Sequence, residues 1–173
     1  KEQVAGEHGS GRNSGVIHAG FYYTSDSLKA KFTREGNVVL TEYCQRKKLT
    51  INQCGKLVVA KDEEEDRRLD MLLDRGKENG VPLEMISEKD AKSIEPRVRT
   101  FDRAIWSPTT STAKPLEVLS AMRSDAERSG IVFKTGCRFV DWNGDSIITD
   151  AGMIDAGYVV NAAGLYADRV ANK

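Results

Sequence analysis

The feature that most limits how this chain can fold is the run Gly6–Gly20, GEHGSGRNSGVIHAG, which places five glycines among small polar residues. Glycine reaches backbone conformations closed to other residues, so such a run predicts a tightly turning loop with exposed amides rather than helix or strand. Gly9, Gly11 and Gly15 allow close backbone approach to a ligand, Ser10, Asn13 and Ser14 add polar groups, and Arg12 adds a fixed positive charge. A loop of this composition is suited to a diphosphate or the polar edge of a ring system. The residues alone leave an ordinary turn-rich loop open, which is what most Gly-Ser-Gly runs are.

Around that loop the chain alternates helical and strand-like segments. Ser27 is placed to cap a helix from Leu28, whose apolar positions Leu28, Phe32, Val39, Leu40 and Tyr43 recur at helical spacing, with Gly36 as a candidate break. Lys56–Ala60 reads as a short buried strand, and residues 63–79 as a charged helix with Leu69, Leu72 and Leu73 on one side, stopped by Gly80. Ser87 opens a short helix that ends at Glu95-Pro96, and Ala104–Trp106 reads as a strand. Pro115 suits the first turn of a further helix, with Leu116, Leu119, Met122 and Ala126 on one face. Residues 131–135, 138–142, 146–149 and 153–155 read as strands around glycine turns. Tyr158–Gly164 reads as an apolar strand running into a turn and then a helix.

The fold class expected is therefore mixed α/β (α+β), with two interleaved lobes. Residues 1–50 and 107–173 form two segments of one lobe, and residues 51–106 belong to the other. No long flexible linker separates them.

Composition excludes more than it selects. The 173 residues carry 26 Lys+Arg and 26 Asp+Glu, so net charge gives no reason to expect nucleic acid or an anionic membrane as partner. No apolar run approaches the roughly 20 residues that span a bilayer. A cytoplasmic protein is expected, with peripheral contact at the inner membrane left open. Cys44, Cys54 and Cys137 form no CxxC pair, and with two histidines no metal site is expected. Three reduced, largely buried thiols are the expectation. The acidic run Asp62–Asp66 reads as the first turn of a helix, favoured by the helix dipole.

His18, between Ile17 and Ala19-Gly20, is the histidine whose surroundings most restrict it, and imidazole exchanges protons near neutral pH. A hydrogen-bonded core histidine fits the same pattern. Lys29 and Lys31 are candidate partners for an acidic substrate, or an ordinary solvated helix face. Trp106 and Trp142 read as core or lobe-interface aromatics.

Taken in order, Gly11–Tyr23, Ser27–Lys31, Cys54–Ala60, Asn79–Pro82, Glu95-Pro96 and Tyr158–Arg169 resemble the L-2-hydroxyglutarate dehydrogenase/oxidase family, within the wider D-amino-acid-oxidase-like flavoproteins. The resemblance runs through nearly the whole chain. It implies a Rossmann-like FAD-binding lobe interleaved with a substrate lobe. It also implies oxidation of a small 2-hydroxy acid by hydride transfer to flavin, with oxygen or a quinone as electron acceptor. Ser10, Gly11, Arg12, Asn13, Ser14 and Gly15 would run along the FAD. Phe139 would lie at the adenine, and Ala163 and Gly164 would pack against the cofactor. His18 would face flavin and substrate as the catalytic group.

The resemblance also implies a strand, a GxGxxG turn and a ribose-binding acid ahead of Lys1, so the sequence reads as an internal segment expected to be inactive by itself. Another amine or glycerol-3-phosphate oxidase-like enzyme, and a truncated module without flavin, are the alternatives.

Overall fold

A computed structural model describes residues 1–144 and 146–173. Contacts divide the chain into two compact units, Asn13–Ala121 and Lys1–Arg12 with Met122–Lys173. These breaks differ from the expected lobe boundaries at 50/51 and 106/107.

In the first unit β1 (Val16–Ile17) leads to α1 (Leu28–Arg46), where Ser27 Oγ accepts from the amide of Ala30 as the expected cap. The helix passes through Gly36 without a break. Its apolar stripe is a correction. Leu28, Phe32 and Val39 are exposed, whereas Ala30, Asn37 and Cys44 face inward. This seven-residue spacing of small or polar groups lets the helix sit close to its neighbours. Asn37 Nδ2 donates to the carbonyls of Ile17 at 3.1 Å, His18 at 3.3 Å and Thr109 at 3.0 Å.

β2 (Ile51–Asn52) and β3 (Lys56–Val59) precede α2 (Glu63–Glu78), which begins at its cap Asp62 with Glu63–Asp66 in the first turn, as the acidic run predicts. Then follow β4 (Glu84–Ser87), α3 (Glu88–Ile94) capped by Ser87, β5 (Arg103–Ser107), β6 (Ser111–Ala113) and α4 (Pro115–Arg128). The strands make two antiparallel sheets, ordered β1-β6-β2 and β3-β5-β4. Leu57 pairs with Trp106 and Met85 with Ile105. Leu69 of α2 packs with Ala60 and Ile105, flanked by Val58, Leu72, Leu73, Leu83 and Met85, which forms the main core. A second cluster joins Ala19, Phe21 and Val81.

The close approach of Gly55 to Trp106 explains the glycine. A Cβ there would lie 1.8 Å from Trp106 Cη2, and φ is +66°. Asn79 fixes the loop after β1: its Nδ2 donates to Gly20 O at 3.0 Å and Tyr23 O at 2.9 Å.

The second unit holds the antiparallel sheet β7 (Phe139–Asn143), β8 (Ser146–Thr149) and β9 (Gly152–Asp155), followed by a 3-10 turn at Gly164–Tyr166 and α5 (Ala167–Ala171). Two expected strands, residues 131–135 and 158–164, are corrected. Among the described residues neither joins a ladder, and Val132, Tyr158 and Val160 are well exposed. A strand exists only through a hydrogen-bonded neighbour, which a run of apolar residues cannot supply by itself. On α4, Leu116 and Met122 of the expected buried face are also exposed. The cysteines are all free, but only Cys44 is buried and Cys54 is exposed.

Candidate functional site

The second unit carries a groove of about 810 Å³, lined by residues from its two sequence-remote ends. Ser10 lines it from one end, and Ala163 and Gly164 from the other. The Ala163 turn is built locally: its amide donates to Asn161 Oδ1 at 3.2 Å, and Asn161 Nδ2 donates to Ala167 O at 2.8 Å. A Cβ at Gly9 or Gly164 would meet nothing within 4 Å, so both backbones face open space. At Gly136 the reverse holds. Its amide donates to Glu2 O at 2.7 Å, and a Cβ would come within 2.6 Å of Gln3 Nε2.

Ala163 also lines an adjoining groove of about 730 Å³, with Phe139, Arg138, Arg169 and Lys173. Phe139 packs against Trp142, ring centroids 4.9 Å apart and planes tilted by 59°. Of the candidate cofactor residues, Ser10, Phe139, Ala163 and Gly164 are thus brought to the two grooves. Gly11 and Arg12 do not line either one, and their amides turn back to His8 O at 3.0 Å.

Asn13, Ser14 and Gly15 belong to the other unit. Asn13 Oδ1 accepts from the amide of Gly15 at 2.9 Å, and Ser14 is exposed. Gly15 is buried at φ +70°, with its carbonyl accepting from Ala113 N, and a Cβ there would lie 2.1 Å from Ala113 O. Its glycine is required by packing against β6.

Sequence reasoning missed Glu2, His8 and Tyr166. Glu2 sits between Lys1 Nζ at 3.0 Å and His8 Nε2 at 2.8 Å. The hydrogen bonds from His8 and then Lys1 pull its carboxyl down to about 2. The Tyr166 ring lies under Lys1 Nζ at 4.1 Å and beside Arg169 at 5.4 Å. A spacing of six residues between Glu2 and His8 matches no helical or strand period, so no local signal marks the pair. The lining is suited to a long anionic ligand. A side chain at Gly9 or Gly164 would point into empty space, Lys1, Arg138, Arg169 and Lys173 line the smaller groove with Glu2, and the volumes fall within the usual range of about 300–1,000 Å³ for ligand pockets.

His18 lies in the first unit with its side chain exposed and its carbonyl held by Asn37. Partial burial, and then the charge of Lys56, hold its pKa below the ordinary imidazole value. Lys56 Nζ donates to Tyr22 Oη at 2.7 Å. Lys29 lies over the Tyr23 ring at 4.3 Å, and Lys31 is exposed. Among the described residues no group of three or more His, Cys, Asp or Glu is arranged to hold a metal. No helix among them is long and apolar enough to cross a membrane.

The family model described as FAD dependent oxidoreductase matches residues 1–173. The chain belongs to the FAD dependent oxidoreductase family.

Similar members of that family include the mitochondrial L-2-hydroxyglutarate dehydrogenase of Homo sapiens, 37% identical over 98% of this chain and 40% of its own length. The glycerol 3-phosphate dehydrogenase of Caloramator mitchellensis is 32% identical over 99% of this chain and 37% of its own. The chain therefore spans well under half the length of these relatives. Among solved structures, glycine oxidase from Geobacillus kaustophilus superposes with a TM-score of 0.88 at 18% identity, covering 99% of this chain and 50% of that one. L-Proline dehydrogenase from P. horikoshii gives 0.79 at 22% identity, covering 86% and 41%. The mixed α/β architecture is thus that of FAD dependent oxidoreductases.

Proposed function

We propose that this chain is part of an enzyme that oxidises a small 2-hydroxy acid, with L-2-hydroxyglutarate the first substrate to test, to the 2-oxo acid. The observation that carries the reading is the shared groove: Ser10, Ala163 and Gly164 line one cleft although more than 150 residues separate Ser10 from Ala163. The choice of substrate is supported by the 37% identity to L-2-hydroxyglutarate dehydrogenase.

In this reading the grooves of the Lys1–Arg12 and Met122–Lys173 unit hold FAD, with 1–50 and 107–173 as the two segments of the cofactor lobe and 51–106 as the substrate lobe. Gly9, Ser10, Ala163 and Gly164 lie against the cofactor, where the lack of a side chain at the two glycines lets it come close. Arg138, Arg169 and Lys173 offset diphosphate charge, and Phe139 meets the adenine. Gly11, Arg12, Asn13, Ser14 and Gly15 are the remaining cofactor-loop residues of this reading, and Arg12 supplies positive charge toward the reduced cofactor. When bound, the flavin accepts a hydride from the substrate carbon.

His18 takes the hydroxyl proton. Its depressed pKa leaves the imidazole neutral at pH 7, which is the form a general base requires. The electron acceptor is oxygen or a quinone.

The test is turnover by the full-length FAD-loaded protein. L-2-Hydroxyglutarate should be oxidised, and H18Q should lower kcat by about 10²–10⁴ with the flavin absorbance retained. Oxidation of glycerol 3-phosphate in preference to 2-hydroxy acids would replace this reading with the one the Caloramator relative supports.

A further inference from the structure

A cation that neither the resemblance nor the cofactor groove accounts for stands at the start of β3. Lys56 is half-buried, and its ammonium donates to Tyr22 Oη at 2.7 Å. It lies 4.4 Å from the centre of the Tyr22 ring and 5.8 Å from that of Phe21. Among the described residues it has no carboxylate partner. The frame around it is rigid. Phe21 is 1% exposed, its ring centroid is 4.2 Å from that of Tyr22, and Arg75 Nη1 ties down the Tyr22 carbonyl at 2.8 Å.

Drawing an ammonium partly out of water without a counter-charge is unfavourable, and the faces of two rings offset only part of that cost. A hydroxyl on one side and ring faces on another leave the cation short of an anion. Phe21 and Tyr22 follow His18 by three and four residues on the same loop, so Lys56 stands against the segment that carries the imidazole. Lys29 and Lys31 have no such frame. They project from the first turn of α1 into solvent, and Lys29 already rests on Tyr23.

We propose that Lys56, oriented by Tyr22, is the anchor for a substrate carboxylate beside His18, in place of Lys29 and Lys31. The inference rests on the 2-hydroxy acid reading and narrows it to one cation. A carboxylate at Lys56 completes the ion pair that the fold leaves open. Tyr22 fixes the direction of the ammonium, so its role is to position Lys56.

Binding, not turnover, separates this proposal from the wider one. The full-length FAD-loaded protein, labelled with ¹³C at lysine Cε, is titrated with L-2-hydroxyglutarate, with glutarate, which has no hydroxyl to oxidise, and with inorganic phosphate. Saturable movement of the Lys56 signal, identified by its loss in K56R, is expected with both dicarboxylates. K56M should weaken glutarate about tenfold or more, since a charge-assisted contact is removed, and K56R should stay within a few-fold. Y22F should fall between them. K56Q replaces K56M if the latter lacks the wild-type circular dichroism. The proposal is overturned if glutarate binds K56M as well as wild type, if no saturable shift occurs at Lys56, if phosphate binds as tightly as glutarate, or if K29M or K31M loses more than K56M. If glutarate binds through Lys56 but the FAD-loaded enzyme does not oxidise L-2-hydroxyglutarate, the substrate reading fails and the anchor stands.

Discussion

Asn37 in the middle of α1 donates to the carbonyl oxygen of His18 at 3.3 Å, so the residue read as the base is held through its backbone by a buried amide nineteen positions away. The same Nδ2 serves Ile17 and Thr109. N37A removes this donor from three carbonyls at a position that water barely reaches. A loss of about 1–3 kcal/mol is expected in denaturant unfolding, with N37D losing at least as much because its carboxylate would face three carbonyls.

His18 and Lys56 make a second prediction, on pH. The folded imidazole has a lowered pKa, so around and below its ordinary value the unfolded chain binds more protons than the folded one. Stability from this source is complete above that value and falls as pH drops through it. An unfolding series from pH 8 to pH 5 should slope less in H18Q. K56M removes a repelling charge, so the His18 pKa should rise, as read from the imidazole proton shift.

At Gly55, alanine would meet both an unfavourable φ of +66° and the indole of Trp106. The left-handed backbone costs about 1–2 kcal/mol and overpacking about 1–3 kcal/mol. G55A should be strongly destabilised. The double variant G55A/W106L should recover the steric part and keep the backbone part, which a double-mutant cycle separates.

The core gives a contrast between two leucines. Leu69 is 2% exposed and Leu116 is 57% exposed. L69A should lose about 2–5 kcal/mol, and L116A within about 0.5 kcal/mol, by thermal or denaturant unfolding.

The carboxyl of Glu2 should titrate near 2 while His8 and Lys1 bond to it. H8A should move it upward toward the ordinary glutamate value, followed by the carboxyl carbon shift. A Glu2 that titrates normally in the unsubstituted chain would contradict the described pairing.

What could be read from sequence was the local part. The caps at Ser27 and Ser87 follow from side chains that bond to amides three residues on, and the acidic run from Asp62 marks the start of α2, so the helix starts were legible. The buried face of α1 was not. Leu28, Phe32 and Val39 announce a stripe, yet Ala30, Asn37 and Cys44 turn inward because small groups let β1 and the Thr109 loop come close. Residues 131–135 and 158–164 have strand composition, but pairing is a property of a neighbour. At the site, glycine revealed which backbone could approach a ligand but not which did. Gly9 and Gly164 face the groove, whereas Gly15 packs on β6. Lys56 escaped notice because its setting depends on Phe21 and Tyr22, more than thirty residues away.

The packing of Trp106 on Gly55 gives the molecule a built-in optical gauge. The indole covers the residue next to Lys56 and, on β5, pairs with Leu57 on the other side. Any anion that settles on that ammonium changes the field across the ring, and the emission of Trp106 must respond. Trp142, on a different sheet, emits as well, and W142F would remove it, leaving Trp106 as the single tryptophan to follow ligand arrival in real time.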